Sequence, residues 1–124
     1  MDDIREFGKR GEEVAARRLS SLGYRILERN FRTPAGEVDI IAMDGGVMVF
    51  VEVKSRRDMS FGPPELAVNR RKIMQVQKAA LTYLARTKKG NIPCRFDVVA
   101  VSMLPGEETR VDVIKDAFEM SGGY

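Results

Sequence analysis

The chain has 124 residues, enough for one hydrophobic core and too few for two, so a single domain over 1–124 is expected. Its 21 Lys and Arg offset 18 Asp and Glu to leave a net charge of +3, too little to indicate a polyanionic partner unless the cations cluster. It contains no histidine, which excludes hydrolases built on a His base, His-based zinc sites and His-dependent nucleases, and leaves carboxylates, lysine, hydroxyls or an oxygen-bound metal for any catalysis.

The chain order of elements follows from periodicity and punctuation. Asp3 to Leu22 reads as a helix, with Phe7, Val14, Ala15, Leu19 and Leu22 gathered on one side and Gly23 as its C-cap. Tyr24 to Phe31 alternates as a strand at the rim of a sheet, and Thr33-Pro34-Ala35-Gly36 is a turn. Val38–Met43 and Val47–Val51 are β-rich runs on either side of Asp44-Gly45-Gly46, which predicts a hairpin. Ser55 to Glu65, with Gly62-Pro63-Pro64, reads as a loop. Asn69 then caps a second helix to about Arg86, whose Ile73, Val76, Ala80 and Leu84 form one stripe. Arg95–Val101 reads as a buried strand, a short strand follows around Val111–Ile114, and Ser121–Tyr124 is a frayed tail. The predicted order is α-β-β-β-α-β-β, a mixed sheet flanked by helices in the α/β class, at its border with α+β.

No apolar run approaches the ~18 residues of a membrane span. The opening Met1–Glu6 lacks a secretory signal, and the single Cys94 offers no internal disulfide. A cytoplasmic protein with no membrane partner is expected.

The hairpin carries the chemistry. If Gly45-Gly46 is the turn, opposed residues sum to 91 and Asp39 faces Glu52; if Asp44-Gly45 is the turn, the two are diagonal neighbours on one face. A three-residue loop without a bulge would instead put them on opposite faces. Period-two alternation adds Glu37 and Lys54 to that face and points Val38, Ile40, Val49, Val51 and Val53 the other way. Lys54 could simply neutralise one carboxylate in a salt bridge. Three carboxylates against one lysine, however, leave an excess that a cation would balance. Oxygen ligands select a hard ion, Mg2+ or Mn2+. Lys54 is then placed to orient a water or to stabilise charge on a phosphate.

These residues resemble a known family. Asp39, twelve intervening residues and Glu52-Val53-Lys54 look like the signature of the PD-(D/E)xK restriction-endonuclease-like superfamily. The wider string is similar to the YraN-like bacterial family, relatives of archaeal Holliday-junction resolvases: Gly8-x-x-Gly11-Glu12, Asn30-Phe31-Arg32, Gly36-Glu37-Val38-Asp39, Phe50 through Arg56, Phe61-Gly62, Ala67-Val68, Lys72 and Arg95-Phe96-Asp97-Val98-Val99. The resemblance spans almost the whole chain. It implies a restriction-endonuclease-like core, Asp39 and Glu52 as metal ligands with the Val53 carbonyl as a third, Lys54 as the catalytic lysine, and Glu12 as the helical glutamate that completes the site. Glu12 also shares a stripe with Gly8, Ala15 and Leu19, which turns it inward.

Arg56 and Arg57 follow the hairpin, and Arg70, Arg71 and Lys72 open the second helix, where cations oppose the helix dipole and imply an external anion. Phosphate is the natural candidate, although a solvated basic turn would look the same. No helix-turn-helix, zinc finger or aromatic stacking strip indicates base readout. The expectation is a metal-dependent nuclease acting on DNA rather than RNA, branched DNA by resemblance, in repair or recombination, with a homodimer suited to a two-fold junction. Its alternative is a nucleic-acid-binding module that retains the fold without turnover.

Overall fold

The computed structural model describes residues 4–57 and 70–118. The first helix, α1, runs Ile4–Ser21. It stops at Gly23, whose φ of 97° only glycine takes freely. The amides of Gly23 and Tyr24 return to the carbonyls of Ser20 and Leu19 at 3.0 Å each, the bonding that closes a helix end. Ala15 and Leu19 are fully buried, whereas Leu22 lies past the last helical residue and is 53% exposed. Leu22 therefore does not belong to the inward stripe expected of it.

Five strands follow the expected order: β1 (Arg25–Thr33), β2 (Gly36–Asp44), β3 (Val47–Arg56), then, after helix α2 (Arg70–Thr87), β4 (Cys94–Ser102) and β5 (Arg110–Phe118). They lie in the sheet as β1-β2-β3-β4-β5. Only β3 and β4 are parallel, and α2 makes the crossover that a parallel pair requires. The Thr33 hydroxyl accepts from the amides of Ala35 and Gly36 at 3.2 and 3.1 Å, fixing the β1–β2 turn. Strand β5 extends four residues beyond the expected Ile114. Its charged stretch Lys115-Asp116 obscures the alternation, and a bulge opposite Phe96/Val98 carries the pairing on to Phe118. The loop Gly62-Pro63-Pro64, the Asn69 cap and the tail Ser121–Tyr124 lie outside the described residues.

The sheet separates two apolar layers. Ala15, Ala16 and Leu19 of α1 pack with Ile40, Ala42, Val49, Val51, Val99 and Val101. Val76, Ala79, Ala80, Tyr83 and Leu84 of α2 pack with Ile41, Met48, Phe50 and Phe96. Alternating residues of the central strands thus serve opposite helices, which is why β3 and β4 read as nearly continuous apolar runs. Among the described residues, no helix is long and apolar enough to cross a membrane.

Candidate functional site

Strands β2 and β3 pair from Asp44↔Val47 to Ile40↔Val51, so opposed residue numbers sum to 91 and Gly45-Gly46 is the turn, with Gly45 at φ 61°. The next pair in this register is Asp39 with Glu52. There the backbone ladder ends. The Asp39 carboxylate instead accepts the Val53 amide at 2.8 Å, so a side chain takes the place of a main-chain acceptor. Val38 consequently packs with the α2 layer, while Ile40, Val49, Val51 and Val53 associate with the α1 layer. The expectation that Val38 sides with Ile40 fails because β2 parts from β3 at Asp39 and loses its regular alternation.

Asp39 and Glu52 are brought together. Glu52 is 3% exposed. Burial first, and then the charge of Asp39, push its carboxyl up to about 8 against the pull of Lys72. Asp39 is also raised, mainly by burial, with the Val53 amide and Lys72 opposing the rise. Burial and mutual repulsion disfavour two charges here, and either a proton shared by the pair or a bound cation relieves them. The Glu52 Oε2 atom is buried and, with both carboxylates ionised, meets no donor among the described residues.

The lysine that faces this pair is Lys72. Its Nζ lies 3.2 Å from Glu52 Oε1 and 3.3 Å from Glu37 Oε1, and Glu37 also meets Arg32 at 3.4 Å. Burial disfavours the Lys72 charge, but Glu52, Asp39 and Glu37 outweigh it and raise its pKa. Lys72 thus turns into the carboxylates, whereas the sequence groups it with the outward basic residues of the helix start. Gly36 makes this approach possible, because a Cβ there would stand 2.0 Å from the Gln75 carbonyl oxygen of α2.

From the other layer, Glu12 of α1 reaches the field of Asp39. Its pKa is raised by burial and by Asp39, while the Asn30 side chain and Arg29 favour its charged form. Asn30 falls opposite Asp39 in the β1–β2 register and adopts φ 53°, a left-handed conformation that asparagine tolerates better than most residues. Neither Asn30 as a neighbour of Glu12 nor the inward turn of Lys72 was evident from alternation. The available signal was a poor strand former inside a strand. Gly11, one turn below Ala15, lets α1 press onto β3, since a Cβ there would overlap the Ser55 hydroxyl.

The remaining expected residues surround this centre. Lys54 stands two positions beyond Glu52 on β3, half-buried opposite Ala100, and has no ion pair among the described residues. Arg56 donates to the Ser102 hydroxyl at 3.1 Å. The Arg57 guanidinium lies 4.2 Å from the Phe7 ring centre. Arg70 and Arg71 are exposed at the start of α2. Among the described residues, no three acidic or thiol side chains converge as metal ligands. A hard cation here would rest on Asp39, Glu52 and a backbone carbonyl. Val53 suits that role: its amide points to the gap left by β2, and the carbonyl of a strand residue points the same way as its amide. The donorless Glu52 oxygen and the all-oxygen donor set fit such an ion.

Fold and centre together define an α/β protein with a five-stranded mixed sheet and a buried carboxylate pair where two central strands part. A family model described as "Uncharacterised protein family UPF0102" matches residues 11–101. The chain belongs to this family, the YraN-like family that its motifs resemble. A UPF0102 protein of Syntrophus aciditrophicus is 53% identical over 116 residues, covering 94% of this chain and 91% of the relative. One from Pelobacter propionicus is 50% identical over 121 residues, covering 96% and 86%. One from Thermodesulfovibrio yellowstonii is 47% identical over 113 residues, covering 91% and 96%.

Proposed function

We propose that this UPF0102 protein is a divalent-metal-dependent nuclease of the PD-(D/E)xK type, hydrolysing DNA phosphodiesters at the Asp39–Glu52 centre. The observation that carries this reading is the buried carboxylate pair with a donorless Glu52 oxygen, placed where strand pairing stops. A buried carboxylate oxygen without a donor costs on the order of 1–3 kcal/mol; a proton relieves it in the metal-free protein and a bound cation would take the proton's place. Asp39, Glu52 and the Val53 carbonyl would hold Mg2+ or Mn2+, which supplies Lewis acidity toward a phosphoryl oxygen. Lys54, beside Glu52 on the same strand, orients the attacking water and stabilises negative charge as the new P–O bond forms and the bond to the leaving oxygen breaks. Glu12, held by Asn30, completes the acidic wall from α1. Exposed Arg70 and Arg71, with Arg56 and Arg57 near the end of β3, contact phosphates without reading bases.

By the family resemblance the substrate is branched DNA in repair or recombination, engaged through phosphate contacts and shape by a cytoplasmic protein whose dimer would suit a two-fold junction. The direct test incubates purified protein with labelled branched, single-stranded and duplex DNA, with Mn2+, Mg2+ or a chelator. Metal-dependent cleavage that Lys54→Ala lowers at least about a hundredfold is the expected result. Absence of cleavage on every substrate overturns the reading. A second reading is a DNA-binding module without turnover, favoured by the ion pair of Lys72 with Glu52 where a metal would sit. It predicts binding that Lys54→Ala leaves uncleaved and nearly unchanged.

A further inference from the structure

We infer that Lys72 is a built-in substitute for the divalent ion: its ammonium occupies the carboxylate centre when no metal is bound and is displaced toward substrate phosphate when one arrives. This inference rests on the metal-centre reading above and specifies how that centre is regulated.

Three observations place Lys72 in this role. Its Nζ bridges Glu52 Oε1 and Glu37 Oε1 at 3.2 and 3.3 Å, so one monovalent cation already sits against a carboxylate of the pair. It balances that centre incompletely, because the second Glu52 oxygen remains buried without a donor. The lysine also has somewhere to go. It is carried on the first turn of α2 directly after exposed Arg70 and Arg71, and its side chain is 20% exposed. Glu37 keeps Arg32 as a partner at 3.4 Å when Lys72 leaves.

The physical logic is competition for one site. An ammonium and a divalent ion both satisfy the same oxygens, but the divalent ion brings twice the charge and accepts several oxygen ligands at once. With Lys72 in place the folded protein avoids an uncompensated acidic centre. With the metal in place, a released ammonium beside two arginines adds a third phosphate contact on the helix start. Metal and DNA binding are thereby coupled, each favouring the state that the other requires.

Calorimetric titration with Mn2+ compares the unmodified chain, Lys72→Gln and Asp39→Asn. In parallel, NMR of protein labelled with 13C at the lysine ε-carbons follows Mg2+ addition, the Lys72 signal being assigned by its loss in Lys72→Arg. Lys72→Gln is expected to bind Mn2+ roughly tenfold more tightly, as removal of an adjacent charge implies, and Asp39→Asn to lose binding. The Lys72 signal should move on saturation with Mg2+. With Ca2+, Lys72→Gln should weaken binding to a short DNA duplex, and with a chelator it should not.

Unchanged Mn2+ affinity in Lys72→Gln, an unmoved Lys72 signal, or equal DNA losses with and without Ca2+ overturns the displacement while leaving the metal centre standing. No Mn2+ binding by either the unmodified chain or Lys72→Gln overturns the centre itself, and this inference with it. If Lys72→Gln fails to fold, the NMR titration of the unmodified chain decides.

Discussion

Two buried aspartate and glutamate sites sit in neighbouring positions of this sheet, in opposite layers, and they are built on opposite principles. Asp97, fully buried, accepts from Arg95 Nε at 2.9 Å and Nη2 at 3.1 Å, from the Tyr24 hydroxyl at 3.0 Å and from the Asp116 amide at 3.0 Å. The same guanidinium reaches Asp44 and the Tyr24 oxygen at 2.7 Å. Every carboxylate lone pair has a donor, and the left-handed Asp116, φ 54°, is shaped to bring one of them. Burial and the Asp97 bond together push the Tyr24 hydroxyl up to about 12. Glu52, equally dry, has one ammonium, one repelling carboxylate and, when both acids are ionised, one oxygen with no donor. Burial alone therefore does not mark a functional acid. What distinguishes the two sites is unmet demand, which the Asp97 network lacks and the Glu52 pair retains.

The sharpest way to break this comparison is at the satisfied site. Asp97→Ala strands a buried guanidinium, a tyrosine hydroxyl and a backbone amide, so it should cost about 3–5 kcal/mol of stability in urea unfolding. Divalent-ion affinity of the folded fraction should stay unchanged. If Asp97→Ala instead lowers metal affinity while sparing stability, the assignment of roles to the two sites is reversed.

A smaller loss is expected where geometry rather than charge supports the unsatisfied site. Gly36→Ala drives a methyl into the Gln75 carbonyl of α2, a backbone atom that cannot step aside. The substitution should destabilise by about 1–3 kcal/mol. It should also weaken Mn2+ binding in calorimetry, since Gly36 begins the strand that carries Glu37 and Asp39. Wild-type metal affinity in a destabilised Gly36→Ala would show that close α2 packing does not shape the centre.

The contrast between the two sites also marks what the sequence could disclose. Element order, the α/β class and the Gly45-Gly46 hairpin were legible because turn residues and period-two alternation are local signals. The meeting of Asp39 and Glu52 was legible down to two alternative turns, since a two-residue loop fixes the register. The inward turn of Lys72 was not. It depends on α2 crossing β2 at Gly36, a contact between segments more than thirty residues apart. Val38 escaped for a related reason: alternation holds only while the ladder continues, and Asp39 ends it with its own side chain. The Arg95-Phe96-Asp97 motif was visible, but its partners Tyr24, Asp44 and Asp116 come from three other parts of the chain.

The pH dependence of the metal-free protein separates the sites next. The Glu52 pKa in the folded state, about 8, lies above its ordinary value of 4.5. The folded protein thus holds a proton that the unfolded chain has already released. Stability from this group is complete below about pH 4.5 and is lost as pH rises through about 8. With chelator present, thermal or urea unfolding should show a decline of about 1–2 kcal/mol between pH 5 and 8, allowing for the shared proton of the pair. A flat profile would mean that Asp39 and Glu52 do not share a proton.

The smallest change expected in stability is at Glu52 itself, and its smallness is the point. Glu52→Gln keeps the size of the side chain and removes both the repulsion from Asp39 and the need for a proton, while its amide can donate to Asp39. It forfeits the charge that attracts Lys72. These effects oppose one another, so stability at pH 7 should change by less than about 1 kcal/mol in either direction. The decline between pH 5 and 8 should flatten, and calorimetry should find Mn2+ binding abolished. Such a substitution at Asp97 would spare metal binding and cost stability; at Glu52 it should spare stability and cost metal binding. A loss of several kcal/mol in Glu52→Gln, with Mn2+ binding intact, would show that Glu52 is as structural as Asp97 and that its donorless oxygen serves no cation.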